Sequence, residues 1–112
     1  MTLDEIVLKL SQSFNRIFSD FKGMYAFGEC VKGEIDDDIE LVALFDIEDK
    51  SKREQIWPIV GKIETEYDIC IDLYPYTDET FKKDEYIYDE VMEEGIFFNS
   101  KGERSNSARK TF

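Results

Sequence analysis

Met24-Tyr-Ala-Phe-Gly28-Glu-Cys-Val-Lys32-Gly33-Glu-Ile-Asp-Asp-Asp38-Ile-Glu40-Leu-Val-Ala-Leu44 is the stretch that decides how this chain folds. An apolar strand breaks at Gly28, a second glycine follows at Gly33, and an acidic run leads into a second apolar strand. There, Asp38 and Glu40 alternate with Ile39 and Leu41. Side chains two apart on a strand leave the same face, so both carboxylates are expected to point one way. Farther on, Ile69-Cys70-Ile71-Asp72-Leu73-Tyr74 again sets an acid among apolar neighbours. Acids in such strands raise the free energy of the fold unless something neutralises them, and a divalent cation is the obvious partner. The bland alternative is a solvated acidic turn at Asp36, Asp37 and Asp38, with Asp72 on the wet face of an edge strand.

Outward from this stretch, the periodicity changes. Thr2-Leu3-Asp4-Glu5 has capping-box spacing, and Leu3, Ile6, Val7, Leu10, Phe14, Ile17 and Phe21 recur at helical intervals, with Gly23 as a stop. Residues 24–28 and 39–46 read as strands whose connection permits an antiparallel hairpin. Ser51-Lys52-Arg53-Glu54 reads as a second capping box. The helix it opens would bury Ile56, Trp57, Val60, Ile63 and Tyr67, with Pro58 imposing a kink or a later start. A third strand, 69–74, ends at Pro75. A weaker helix over 83–94 would bury Tyr86, Ile87, Val91 and Met92, with Gly95 as its C-cap, before a short edge strand at Ile96-Phe97-Phe98. Trp57 and the other aromatics read as core. Tyr74, Tyr76, Tyr86 and Tyr88 offer the alternative of a stacking surface for a base.

The 112 residues make one domain, 1–98, followed by a polar, basic tail, 99–112. A chain of this length hides roughly 65% of its unfolded surface, enough for one modest core. Nine Phe, six Tyr and one Trp in a 42% hydrophobic chain argue for a folded domain. The net charge of −12 disfavours direct contact with nucleic-acid backbones and suits metal ions or a basic protein partner. Histidine is absent, which excludes Ser-His and Cys-His catalysis and any His-ligated metal. Cys30 and Cys70 form no metal-spaced pair and read as reduced thiols of a cytoplasmic chain, with no signal peptide or membrane-length apolar run. Lys101, Arg104, Arg109 and Lys110 against Glu103 give the tail a net +3, so it reads as a flexible end, with folding back onto the acidic body as the alternative.

The order helix, strand, glycine turn, acidic strand, helix, acidic strand, helix resembles the minimal nucleotidyltransferases of the DNA polymerase β-like superfamily. Gly28 and Gly33 match that family's two glycines, and Lys32 falls where a basic residue is common. Asp38-Ile39-Glu40-Leu41 lies at its paired acids, Ile71-Asp72-Leu73 at its third acid, and Glu93-Glu94-Gly95-Ile96-Phe97-Phe98 at the usual domain ending. The resemblance spans residues 3 to 98. It implies an α+β fold, a mixed sheet of three to four strands packed against about three helices. It also implies metal ligands at Asp38, Glu40 and Asp72, with Asp72 activating the acceptor, and a nucleotide-binding turn at Gly28, Glu29, Lys32 and Gly33. The implied cofactor is Mg2+, held if the acidic cluster is functional.

Three departures bear on activity. Glu29 stands where the family has Ser, replacing a phosphate donor with an acceptor-only anion. Two unit charges ~4 Å apart repel by ~4 kcal/mol even at an effective dielectric near 20. Glu40 replaces the second Asp, and only eight residues separate Glu29 from Asp38, fewer than the family pattern has. The resemblance therefore implies a degenerate, weak or inactive member acting through a protein partner such as a HEPN-type toxin. The alternative is an active Mg-dependent enzyme transferring AMP from ATP to a protein acceptor.

Overall fold

The Thr2 hydroxyl accepts the Glu5 amide at 3.1 Å and opens the first helix of the chain. The computed structural model describes residues 1–33, 35 and 37–105. Its elements are α1 (Leu3–Ile17), β1 (Phe21–Phe27), a 3₁₀ turn (Gly28–Val31), β2 (Asp38–Phe45) and α2 (Lys50–Tyr67), then β3 (Cys70–Tyr76), α3 (Asp78–Lys83), α4 (Glu85–Glu94) and β4 (Ile96–Asn99). The strands form one mixed sheet in the order β3-β2-β1-β4. β1 runs antiparallel to both β2 and β4, while β2 and β3 are parallel. The α+β expectation holds.

Alternation along the strands divides the apolar side chains between two faces. Ile39, Leu41, Ala43 and Phe45 of β2, with Ile71 and Leu73 of β3, join α1 and α2 in the larger core. Tyr25 and Phe27 of β1, with Val42 and Leu44 of β2, meet Phe81, Ile87 and Val91 of the α3–α4 layer. Each such side chain, fully buried, contributes roughly 1.5–3 kcal/mol. Helices on both faces explain why residues 41–45 are all buried and lose the alternation of a half-wet strand.

One end of the larger core is aromatic. Phe14 lies 5.4 Å from Phe21 and 5.9 Å from Phe45, and Phe18 meets Phe45 edge-on at 5.4 Å. Lys52 closes this end with its Nζ 4.6 Å from the Phe45 ring centroid. The same ammonium pairs with Asp20 and donates to the Ile47 carbonyl at 2.6 Å. Burial pushes the Asp20 carboxyl up, but the Lys52 ammonium and the Ile47 amide outweigh it and hold the group below the ordinary carboxylate range.

Several sequence expectations change. The N-cap of α2 is Asp49, which accepts the Lys52 amide at 2.8 Å, so Ser51 lies inside the helix. Pro58 lies within α2, which starts at Lys50, so the later start is not taken. Trp57 is 46% exposed and Tyr86 78% exposed, so neither belongs to the core. α1 ends at Ile17, which is exposed; Phe21 and Gly23 belong to β1, whose register shifts between them. The helix expected over 83–94 is present as α4, capped by Asp84 and ended at Gly95, and a short helix not expected from the sequence, α3, precedes it from its own cap at Thr77.

β3 continues through Pro75 because it lies at the sheet edge. The Cys70 amide bonds inward to Asp37, whereas the Ile71 amide bonds outward to the Glu64 carboxylate at 2.8 Å. By alternation the missing N–H of Pro75 also points outward, where no ladder bond is lost. At the opposite edge, residues 100–105 of the tail fold back beside β4. Arg104 bridges to Phe98, Ser105 donates to the Phe97 carbonyl at 2.8 Å, and Arg104 pairs with Asp4 at 2.6 Å. The rest of the tail, 106–112, lies outside the described residues, as do Glu34 and Asp36 of the acidic loop.

Candidate functional site

Asp38 and Glu40 share their strand face with Val42 and Leu44, and Asp72 shares its face with Tyr74, so all three acids point toward the α4 layer. β2 and β3 pair with Glu40 opposite Asp72, which puts neighbouring acids on strands about 4.8 Å apart. On its other side Glu40 pairs with Phe27, the residue before Gly28. The shared face read from the sequence is therefore present, at the end of β1 and the start of β2 and β3.

Gly28 turns the chain at φ 81°. A Cβ built there would lie 2.0 Å from Glu40 Oε2, so the bare glycine face is where the Glu40 carboxylate rests. The carboxylate is half-buried and in anionic company. Its carboxyl is raised above the ordinary range by burial first, then by Glu90, Asp72, Asp38 and Glu29. Glu90, on α4, was not singled out in the sequence.

Lys32 does not face this cluster alone. Its Nζ lies 3.3 Å from Glu94 and 3.8 Å from Glu29, and the Glu94 contact, with the charges of Glu94 and Glu29, raises the ammonium above its usual value. The Glu29 side chain is 94% exposed. A side chain at Gly33 would meet nothing within 4 Å, so no crowding demands glycine there. Cys30 is buried in the turn, its thiol donating to the Phe27 carbonyl at 3.2 Å, and burial raises its pKa. That environment makes it a packing residue. Glu90 and Glu94 were legible in one respect: four apart on α4, they form a stripe beside the buried Ile87 and Val91.

The oxygen-only donor set fits a hard divalent cation chemically. Among the described residues, however, no group of three or more Asp, Glu, Cys or His side chains is arranged to hold a metal ion. Of the four tyrosines, Tyr74 lies nearest the acids, its ring 6.1 Å from Phe27. Tyr76 bonds Asp84, and both Tyr76 and Tyr88 pack on Phe81. Among the described residues no helix is long and apolar enough to cross a membrane.

No family profile matches the chain, and no curated protein matches it significantly. Solved structures do. A mutant of the toxin–antitoxin MntA–HpeT superposes with a TM-score of 0.63 at 19% identity, covering 88% of this chain and 72% of its own. The chain has the minimal-nucleotidyltransferase fold. A toxin–antitoxin structure with AMP-PNP shares this fold at TM-score 0.59 and 20% identity, covering 83% of this chain and 69% of that one. The complex of tri-AMPylated Shewanella oneidensis HEPN toxin with MNT antitoxin does so at TM-score 0.56 and 18% identity, with 83% and 69% covered. In this nucleotidyltransferase fold, the acids on β2 and β3 and the glycine turn after β1 occupy one corner of the sheet.

Proposed function

We propose that this chain is a nucleotidyltransferase-fold protein with weak or lost transfer chemistry, working in the cytoplasm through a protein partner of the HEPN-toxin kind. The observation that carries this reading is the Glu40 carboxylate resting on Gly28, where a triphosphate would need room and donors. Lys32, the cation of the turn, is engaged by Glu94 and Glu29. The surroundings are anionic, and anion repels anion. A solved neighbour in which HEPN toxin and MNT antitoxin form a complex supports the choice of partner class. Calorimetric titration with ATP, with and without magnesium, tests the reading. Silence at millimolar nucleotide, together with a stable complex with a HEPN-type protein, is the expected result; magnesium-dependent ATP binding would overturn it.

The common face of Asp38, Glu40 and Asp72 favours a second reading, an active enzyme transferring AMP from ATP to a protein hydroxyl. The acceptor oxygen would attack the α-phosphorus, the bond to the β-phosphate would break, pyrophosphate would leave, and Asp72 would take the hydroxyl proton. Asp38, Glu40 and Asp72, not arranged to hold a metal ion as they stand, would have to draw together to hold Mg2+, which would supply neutralisation of the triphosphate charge. The solved neighbour with AMP-PNP supports nucleotide as the ligand class. Here Asp38→Asn loses ATP binding, Asp72→Asn loses transfer with the fold intact, and Glu29→Ser tightens ATP binding. Unchanged transfer in Asp72→Asn would refute that residue's role.

A further inference from the structure

The groove between α1 and α2 is basic on an acidic molecule. Its cavity of about 340 Å³ is lined by Lys9, Arg16 and Ile17 from α1 and Ile59, Lys62 and Glu66 from α2. Lys9 and Glu66 satisfy each other at 2.9 Å. Arg16 and Lys62 have no acidic partner among the described residues, although the chain carries 26 acids against 14 bases. Elsewhere, Lys22, Lys32, Lys52, Arg53, Lys83 and Arg104 each meet a carboxylate, while Lys50 and Lys101 show no ion pair among the described residues but do not line this groove. Where acids are in such excess, two bases left unpaired over one groove are unexpected on solubility grounds alone. Between them lies apolar surface, with Ile17 51% exposed and Ile59 half-buried.

We infer that this groove docks an amphipathic helix of a partner protein, its apolar stripe on Ile17 and Ile59 and its acidic flank on Arg16 and Lys62. Charge complementarity selects the occupant. A helix laid along two helices meets an apolar seam, and flanking carboxylates are the groups that neutralise the free cations. A second copy of this chain fits less well, because each copy carries a net −12. The groove belongs to the α1–α2 face, whereas the acidic cluster lies on the α4 face, so occupancy leaves the candidate site open. The inference does not depend on nucleotide chemistry.

The test uses two synthetic helices with the same leucine stripe, one flanked by glutamates and one by lysines, titrated into the full chain without nucleotide. Backbone-amide NMR shifts locate the site and report affinity. Saturable shifts confined to α1 and α2, seen with the glutamate helix only, are expected. Arg16→Glu with Lys62→Glu should weaken that binding by roughly ten-fold or more, as should raised salt. Equal binding of both helices, shifts centred elsewhere, or unchanged affinity in the double variant would overturn the inference. So would concentration-dependent self-association of the chain alone that the double variant abolishes, since that would seat a second copy in the groove.

Discussion

A methyl group at position 28 would enter the space of the Glu40 carboxylate, 2.0 Å from its oxygen, on a backbone with φ 81° that side chains rarely adopt. Gly28→Ala should therefore cost more than about 1 kcal/mol, read as a lower thermal midpoint, and should displace Glu40. Glu40 itself carries a pH signature. Burial, and then the charges of Glu90, Asp72, Asp38 and Glu29, raise its carboxyl above the ordinary value of 4.5. With a raised folded value, the stabilising contribution is complete below pH 4.5 and is lost as pH climbs through that raised value. Glu40→Gln removes this titration, so the variant should melt above wild type at pH 7, with the gap closing on acidification. A variant that melts lower at pH 7 would refute the electrostatic account. The paired acids and Gly28 were legible because strand alternation and a glycine break are local signals. The engagement of Lys32 by Glu94 was not, because it depends on where α4 crosses the turn.

At the scale of elements, α2 shows what a sequence withholds. Its buried stripe of Ile56, Val60 and Ile63 follows from 3.6-residue spacing, but that spacing could not tell that Trp57 lies off it in the folded chain. Asp49 and Ser51 are both good caps, and the structure uses the earlier one. Trp57→Ala should change stability by less than about 1 kcal/mol, and acrylamide should quench Trp57 fluorescence readily in the native state. Lys52 is the contrast. Read in sequence only as one member of a capping box, it is buried against Phe45 and Phe18 and holds Asp20 and the Ile47 carbonyl. Lys52→Ala leaves Asp20 without its cation and should cost about 3 kcal/mol by denaturant titration. A loss within the error of a surface substitution would show that water replaces the ammonium.

Across the whole molecule, charge and layering set what the chain can meet. The sheet is covered on both faces, the acids gather at the corner next to Gly28, and Arg16 and Lys62, without an acidic partner among the described residues, lie over the α1–α2 groove. The periodicities showed the strands and one antiparallel connection, and the mixed sheet was expected only through the family resemblance; its strand order depends on tertiary pairing that no local window contains. The folded-back segment 100–105 was foreseen as one alternative, from charge alone. Arg104 draws on both charge and stacking, pairing with Asp4 and lying 5.5 Å from the Phe98 ring centroid. Arg104→Ala should lower stability by about 1 kcal/mol, and high salt should recover little of the stacking part.

Those same contacts have a further consequence. Glu64 and Pro75 occupy or remove outward amides of β3, while residues 100–105 engage the Asn99 amide and the Phe97 carbonyl of β4. Both rims of the sheet are thus blunted by the chain's own residues, and growth by adding a strand, whether from a partner or toward a fibril, finds little template. Replacing Glu64 with alanine frees the Ile71 amide beside a hydrophobic strand. The protein should then turn cloudy on prolonged incubation at temperatures where the wild type stays clear.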